Sequence, residues 1–191
     1  MEYLVIFFPL LGAILSGFFG KFFGDKLSQI LTSFLIVLST IFSFVIFYKV
    51  VYENYSNISI IAKWIDSGSL SIYWSIKIDA LSSIMLVVVS FVSSLVHIYS
   101  IGYMSHDPHK PRFMAYLSLF TFAMLSLVTA DNFLQLFFGW EGVGLCSYFL
   151  IGFWYKKPTA NAAAIKAFIV NRIGDFGLAL GIFLIFFQFG T

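Results

Sequence analysis

Four charged side chains lie inside long apolar runs of this sequence, where ionised groups are rare. They are Glu141, Lys166, Arg172 and Asp175. On insertion scales each charge near the centre of a lipid bilayer costs about 2.5 to 3.5 kcal/mol, so four unpaired charges would oppose insertion by roughly 10 kcal/mol. Burial makes a carboxyl hold its proton more tightly, and a nearby cation makes it release the proton. A cation moving toward or away from Glu141 could unload or load a proton there, so these residues are candidates for proton translocation or its coupling.

Glu141 lies among three glycines, at positions 139, 142 and 144, near the middle of one apolar run. Small residues let neighbouring membrane helices approach closely, so we expect Glu141 to face protein rather than lipid. The alternative is a permanently neutral glutamic acid that only ties two helices together by hydrogen bonds. Gln could make such hydrogen bonds at a lower cost than Glu. The presence of Glu at this position therefore favours proton handling.

Arg172 and Asp175 are three residues apart, and Asn171 precedes Asp175 by four, so a helix would place all three on one face. An internal ion pair between Arg172 and Asp175 is the simplest expectation. In one interpretation the two charges only neutralise each other. In the other, the pair takes part in coupling or in the passage of protons. Lys166 lies about five residues, or roughly 8 Å, into the expected helix, and its side chain could instead extend to the membrane surface.

The composition supports a membrane location for these residues. Hydrophobic residues make up 60% of the 191-residue chain and charged residues 10%, against roughly 25% charged in an average soluble domain. The single cysteine, Cys146, excludes an internal disulfide and a four-cysteine metal site. The sequence contains no nucleotide-binding loop, dinucleotide fingerprint or iron–sulfur ligand set, and its net charge of +2 does not indicate nucleic acid. We therefore expect no bound cofactor, no metal and no nucleic-acid partner, with the lipid bilayer as the solvent.

Six segments are long and apolar enough to cross a bilayer, which takes about 20 residues of helix. The sequence thus predicts an all-α integral membrane protein of about six transmembrane helices, over residues 3–20, 28–48, 80–104, 113–130, 132–154 and 161–189. Helix breakers separate these segments, at Gly24-Asp25, the prolines at 108 and 111, Asp131-Asn132 and Lys156-Lys157-Pro158. The fourth and fifth segments are almost contiguous, so they should form a tight antiparallel pair, with Asp131 or Asn132 capping the later helix.

The long connection between the second and third helices predicts a β-hairpin on the membrane surface. Apolar and polar residues alternate from 70 to 78, which is the period of a strand with one apolar face. A second run, residues 58–65, could pair with it through a turn at Ser67-Gly68. Asp79 then suits the N-cap of the third helix.

Histidines are the remaining candidates for chemistry. His97 lies among apolar neighbours in the third predicted helix. We interpret it as a packing residue, with a proton relay as the alternative. His106, Asp107 and His109 resemble metal ligands, but two prolines break the helix that would align them. We interpret that stretch as a solvated loop.

Basic residues concentrate in the first, third and fifth connections, whereas the fourth has none. The positive-inside rule places those three connections in the cytoplasm or the mitochondrial matrix. The N-terminus and the hairpin then face the opposite, non-cytoplasmic side. Residue usage fits a bacterial inner (plasma) membrane, with the mitochondrial inner membrane as the alternative.

Two blocks of the sequence resemble a known family. Residues 130–154, ADNFLQLFFGWEGVGLCSYFLIGFW, closely resemble the fifth-helix signature of the antiporter-like subunit L, or chain 5, of NADH:quinone oxidoreductase, respiratory complex I. Residues 162–176, AAAIKAFIVNRIGDF, are similar to its sixth-helix signature. Residues 97–104 and 74–79 add supporting matches, so the resemblance covers essentially the whole chain.

The resemblance implies a proton-translocating subunit of the complex I membrane arm, coupled to NADH oxidation and quinone reduction in other subunits. The chain is then part of an enzyme but does no redox chemistry itself. NADH, flavin, iron–sulfur clusters and quinone would bind elsewhere, and other membrane subunits of complex I would be its partners. The family's embedded glutamate, lysine, arginine and aspartate match Glu141, Lys166, Arg172 and Asp175.

The resemblance also implies a division of the chain. Residues 1–112 would form an N-terminal three-helix segment with the surface hairpin, and residues 113–191 would begin the antiporter-like repeat. In the family a lysine on a seventh helix partners the glutamate, and that helix would follow Thr191. We expect a fragment, a split-gene product or an incompletely described polypeptide that does not complete a proton path alone.

Two other functions fit the same residues. The large subunit of a multisubunit Na+/H+ antiporter shares the embedded signatures but uses no NADH. A truncated, non-catalytic scaffold or assembly remnant is the third alternative. The match across the first three predicted helices favours complex I over the antiporter.

Overall fold

The computed structural model describes residues 1–67 and 70–190. Within these residues the chain is mostly helical, with five helices long and apolar enough to cross a membrane and one two-stranded antiparallel hairpin. In chain order the elements are α1 (Glu2–Glu53), β1 (Asn57–Ser67), β2 (Leu70–Ile78), α2 (Ala80–Tyr103), α3 (Lys110–Val128), α4 (Phe133–Ile151) and α5 (Pro158–Phe189). The predicted helical fold with an antiparallel hairpin is confirmed.

α1 contains a break at the predicted position, Gly24. Its φ of 75° and ψ of 172° are not helical, and glycine adopts a positive φ at little cost. The two halves of α1 fold back on each other, since the Ser39 hydroxyl donates to the carbonyl oxygen of Val5 at 2.6 Å. The 52 residues of α1 therefore correspond to both the first and the second predicted segments.

Small polar side chains line the contacts between helices. The Thr40 hydroxyl donates to the carbonyl of Ser90 on α2 at 2.9 Å, and the Ser16 hydroxyl donates to the carbonyl of Pro111 on α3 at 2.8 Å. Such small side chains let the helices approach closely. An apolar core joins α1, β2, α2 and α3, and its buried members are Val5, Ile6, Ile46, Val50, Ile76, Ile78, Leu86 and Leu125.

β1 and β2 pair antiparallel, as the alternating pattern predicts. Register shifts after Ile60 and after Lys63 each leave one residue of β1 unpaired, which is the geometry of a β-bulge. The predicted run 58–65 lies within β1, and the predicted alternation 70–78 coincides with β2. Gly68 of the predicted turn lies outside the described residues.

A glutamine on α4 fixes β2 to the α3–α4 end of the bundle. The Gln135 side chain accepts from the backbone N–H of Ser75 at 3.1 Å and donates to the Ser75 carbonyl at 2.6 Å. The backbone N–H of Lys77 donates to the carbonyl of Thr129 at 2.9 Å. Ser75 is consequently buried, although the alternation places it on the polar face of the strand.

We expect Gln135→Leu to loosen β2 from α4. The change removes these partners of the Ser75 backbone, and an unsatisfied buried polar group costs about 1–3 kcal/mol. Hydrogen exchange at the Ser75 amide should become faster. Gln188→Leu is the matched control because Gln188 is exposed on α5, and it should leave that exchange unchanged. Equal protection of Ser75 in both variants and the parent protein would contradict the prediction.

Asp79 caps α2 as predicted. Its carboxylate accepts from the backbone N–H of Ser82 at 2.8 Å, and the Ser82 hydroxyl accepts from the backbone N–H of Asp79 at 2.7 Å. The two residues thus form a capping box, which satisfies two backbone donors that the helix leaves free. The hydrogen bond from the Ser82 backbone lowers the pKa of the Asp79 carboxyl below its usual value.

The lowered pKa predicts an acid-sensitive start of α2. The folded-state pKa of Asp79 lies below the unfolded value of about 3.9, so the cap stabilises the protein fully above that pH. This contribution is lost as pH falls through the folded pKa. The NMR shift of the Ser82 amide should report the titration, and Asp79→Asn, which keeps the acceptor, should abolish it. A titration that persists in that variant would belong to another group.

The other helices follow the predicted segments with shifted ends. α3 begins at Lys110, earlier than predicted, because Pro111 suits a first helical turn, whose backbone N–H groups have no partner within the helix. Asn132 caps α4, with its side-chain oxygen accepting from the N–H of Gln135 at 2.8 Å. α5 begins at Pro158 rather than at residue 161. The predicted break between the last two helices is present, and Pro158 is the first residue of the later one.

Candidate functional site

α4 and α5 bring two carboxylates and one guanidinium together. Nη1 of Arg172 on α5 forms an ion pair with Oε2 of Glu141 on α4. The same nitrogen lies 3.6 Å from Oδ2 of Asp175, about one helical turn further along α5. Asp175 is also held by α4, since Nε1 of Trp140 donates to its Oδ1 at 2.9 Å. Arg172 is thus shared by one acid from each helix.

The three charged side chains differ in exposure. The exposed fraction is 9% for Asp175, 21% for Glu141 and 42% for Arg172, and the guanidinium lies 4.5 Å from the centroid of the Phe168 ring. Because two acids share one cation, the cluster has a formal charge of −1 when all three groups are ionised. Unbalanced charge is costly away from water, so a bound proton or a further cation would stabilise the cluster. The cluster therefore contains one more acid than cation among the residues that the structure describes.

Glycines next to Glu141 set the distance between α3 and α4. A Cβ atom on Gly139 would lie 2.7 Å from Cα of Leu127, and a Cβ atom on Gly142 would lie 3.2 Å from Cβ of Ala123. The two helices therefore approach closely along this face, as small residues allow. Glu141 contacts α5 instead, so the expectation that it faces protein is confirmed.

A cavity of about 300 Å³ adjoins the cluster between α3, α4 and α5. Asp175 and Trp140 line it, together with the polar side chains of Asn171 and Ser147. A water molecule occupies about 30 Å³ in the liquid and needs polar partners. The cavity has both the size and the polar groups to hydrate Asp175 from one side.

Lys166 lies apart from this cluster. Its side chain is exposed, and no described carboxylate lies within 4.0 Å of its ammonium. Because α5 begins at Pro158, Lys166 lies about 12 Å into the helix. The expected depth of about 8 Å is therefore wrong. The Lys166 side chain would have to extend further to reach the start of α5.

His97 is completely buried between α2 and α3, with a partner at each ring nitrogen. Nε2 lies 3.0 Å from the Ser118 hydroxyl, and Nδ1 lies 2.8 Å from the carbonyl oxygen of Ser93. The Ser93 and Thr121 hydroxyls are also hydrogen-bonded, at 2.6 Å. These contacts tie α2 to α3 and fit the packing interpretation.

The stretch from His106 to His109 forms the turn between α2 and α3. The Asp107 carboxylate accepts from Nε1 of Trp154 at 2.9 Å and from the backbone N–H of His109 at 2.8 Å. Both carboxylate oxygens are thus used within the protein. The turn is tied in this way to the segment that follows α4.

Trp140 is the residue of the cluster that the sequence analysis missed. Helical spacing predicted the pair of Arg172 with Asp175, whereas the closer contact of Arg172 is with Glu141 on the other helix. One signal was present, because an indole N–H that is away from water needs an acceptor. An apolar segment offers few acceptors, and the intramembrane acids are among them.

Two family models match the chain. "NADH-Ubiquinone oxidoreductase (complex I), chain 5 N-terminus" matches residues 64–114, and "NADH:quinone oxidoreductase/Mrp antiporter, TM" matches residues 130–191. Glu141, Arg172 and Asp175 all lie within the second match. The two models together cover β2, α2 and the α4–α5 pair.

Relatives match over the whole chain. NADH-ubiquinone oxidoreductase chain 5 of Chondrus crispus is 52% identical over 191 residues, which is 100% of this chain and 29% of the relative. NADH-quinone oxidoreductase subunit L of Rhodobacter capsulatus is 54% identical over 98% of this chain and 27% of its own length. The chain therefore spans less than a third of these relatives.

A solved structure shares the fold. It is the membrane-bound sulfane sulfur reductase, an archaeal respiratory membrane complex, matched with a TM-score of 0.84 and 19% identity over 100% of this chain and 38% of the matched chain. At that identity the likeness concerns the fold alone. The family models and the two relatives together show that the chain belongs to the chain 5, or subunit L, family of NADH:quinone oxidoreductase, respiratory complex I.

Proposed function

We propose that this chain is part of a proton-translocating membrane subunit of NADH:quinone oxidoreductase. The observation that carries the proposal is the cluster of Glu141, Arg172 and Asp175 at the α4–α5 contact. Each charge inside the membrane costs free energy on insertion. Only 10% of the residues are charged, and apolar packing alone would join α4 and α5 at a lower free-energy cost. The presence of the cluster therefore favours a functional role. Membership of the chain 5 family supports the same function.

In the proposed mechanism Glu141 holds the translocated proton. While Arg172 lies against Glu141, its charge favours the ionised carboxylate and the proton leaves. When Arg172 moves toward Asp175, which is 3.6 Å away, Glu141 loses the cation and takes up a proton. Trp140 would keep Asp175 in place as the second partner. Lys166 would add positive charge on the same helix and take part in coupling.

We also propose that the chain crosses the membrane six times. The break at Gly24 supports two spans within α1, and α2 to α5 would supply one span each. The hairpin would lie between the second and third spans, on the non-cytoplasmic side with the N-terminus, because the basic connections face the other way. Residues 1–112 would form the N-terminal segment, and residues 113–191 would begin the antiporter-like repeat.

The redox part of the reaction would lie outside this chain. NADH, flavin, iron–sulfur clusters and quinone would bind other subunits, and other membrane subunits of the complex would be the neighbours of this one. The membrane would be a bacterial inner membrane or the mitochondrial inner membrane. A eukaryotic and a bacterial relative match about equally well.

Proton uptake by inverted membrane vesicles tests the proposal. Membranes of cells without the gene should lose NADH-driven uptake and regain it with a plasmid copy, and a quinone-site inhibitor should abolish the regained part. Uptake driven by ATP is the control and should not change. Equal NADH-driven uptake with and without the gene would leave only a scaffold role.

A second candidate function is cation exchange in a multisubunit Na+/H+ antiporter. The description of the second matched family includes Mrp antiporters, which is the observation that favours it. In the same vesicles, exchange that needs Na+ and persists with the quinone-site inhibitor would assign this function. Uptake that needs NADH and is independent of Na+ would exclude it.

A further inference from the structure

Arg112 lies in the first turn of α3 with one of its donors enclosed and unused. Its Nη2 donates to the carbonyl oxygen of Phe153 at 3.2 Å. Its Nε is buried and has no hydrogen-bond partner among residues 1–67 and 70–190. A buried donor on a charged group is expensive to leave unpaired. Arg112 therefore needs an acceptor from outside the described residues.

The cavity beside Arg112 is built to receive such an acceptor. Its volume is about 210 Å³, and it lies where the end of α4 meets the starts of α3 and α5. The guanidinium carbon is 4.6 Å from the centroid of the Phe153 ring and 5.4 Å from that of Tyr155. Both rings thus pack against the guanidinium, and Arg112 itself lines the cavity. The other lining residues are Tyr116, Tyr148, Phe149, Gly152, Asn161 and Ala164.

The acid nearest in sequence does not fill this role. Asp107 is partly buried, which would raise its pKa, but hydrogen bonds from Trp154 and from the His109 backbone, with the charges of His109 and Arg112, keep its pKa below the usual value. Both of its oxygens already accept those hydrogen bonds. No carboxylate of the described residues lies within 4.0 Å of the Arg112 guanidinium.

The surroundings of the cavity indicate the class of ligand. Lys156 and Lys157, which follow the lining residue Tyr155 in the sequence, are both exposed, and Nζ of Lys157 lies 4.9 Å from the centroid of the Trp154 ring. A second cavity of about 570 Å³ shares Arg112 and is lined by Lys21, His109 and one acid, Asp25. Basic residues and amphipathic aromatic rings together mark the level of lipid headgroups. Basic pockets between membrane helices bind anionic headgroups there.

We propose that the Arg112 cavity binds the phosphate of an anionic membrane lipid. The forked N–H groups of arginine match phosphate oxygens in geometry and charge, and Nε supplies a donor that the protein leaves unused. The lipid headgroup would connect the start of α3 to the ends of α4 and α5. This site is separate from the Glu141 cluster and does not depend on proton transport.

Native mass spectrometry of the detergent-purified protein tests the proposal. The probes are phosphatidylglycerol, phosphatidylcholine and inorganic phosphate. The parent protein should bind phosphatidylglycerol more tightly than phosphatidylcholine, and Arg112→Gln should weaken phosphatidylglycerol binding by about tenfold. Arg112→Lys, which keeps the charge but loses the fork, should weaken it by about threefold. Lys26→Gln is the matched control and should bind as the parent does, because Lys26 is exposed near the break in α1 and lines neither cavity.

Three outcomes would overturn the proposal. The first is parental affinity for phosphatidylglycerol in Arg112→Gln or, where that variant does not fold, in Arg112→Lys. The second is equal binding of phosphatidylcholine, because the site would then not select anionic lipid. The third is displacement of phosphatidylglycerol by millimolar inorganic phosphate, which would assign the cavity to a soluble anion.

Discussion

Glu141→Gln should reduce NADH-driven proton uptake to the level of membranes that lack the subunit. Gln is close to Glu in size and can still bond to Arg172, so the α4–α5 contact should survive. It cannot release a proton at any position of the guanidinium, so the proposed loading and unloading step is lost. The measurement is the initial rate of NADH-driven uptake in inverted vesicles, normalised to the amount of the subunit in the membrane.

Glu53→Gln is the control for this substitution. Glu53 is exposed at the end of α1, so the same chemical change there should leave uptake at the parental rate. If Glu141→Gln assembles normally and pumps as the parent does, Glu141 has no part in the proton path. The contact with Arg172 would then be only a tie between two helices.

Gly139→Ala should destabilise the protein and lower uptake together. The added Cβ would lie 2.7 Å from Cα and 2.8 Å from the backbone nitrogen of Leu127. Backbone atoms cannot move aside as a flexible side chain can, so α3 and α4 must separate. Overpacking of this kind costs about 1–3 kcal/mol, which unfolding of the purified protein by denaturant should show. The shift of α4 would also displace Glu141, two residues further along the helix.

Gly144→Ala separates this clash from the general effect of adding a methyl group to α4. The nearest atom to a Cβ there is Nδ2 of Asn171, at 3.9 Å, which is ordinary contact. Alanine also favours a helix over glycine by up to about 1 kcal/mol in water. The control should therefore be as stable as the parent or more so. An equal loss of stability in both variants would contradict backbone contact at Gly139 as the cause.

Most of the helix breaks were predictable from the sequence because they have a local physical cause. Gly24 interrupts α1 because glycine readily adopts the required positive φ. Pro111 and Pro158 were harder to interpret, since proline can end one helix and also suits the first turn of the next. Pro158 starts α5, so that boundary moved. The burial of Ser75 had no local cause at all, because its partner Gln135 is 60 residues away.

The candidate site was only partly predictable. The cost of a charge in lipid identifies Glu141, Arg172 and Asp175 from the sequence alone. Which acid contacts Arg172 most closely depends on the rotation of α5 about its axis, and local spacing does not determine that rotation. Trp140 joins the cluster for the same reason. Arg112 lies in the third predicted connection, one of the basic ones, and its enclosed donor depends on how α3, α4 and α5 pack together.

The ion pair between α4 and α5 also constrains how the polypeptide enters the membrane during synthesis. If α5 left the translocon by itself, Arg172 and Asp175 would meet acyl chains with only each other as partners. At about 2.5 to 3.5 kcal/mol for each charge, that step would be strongly opposed. α4 should therefore wait beside the translocon until α5 has emerged, so that Glu141 and Trp140 accompany the charged helix into lipid. The two helices would then enter the lipid together as one unit.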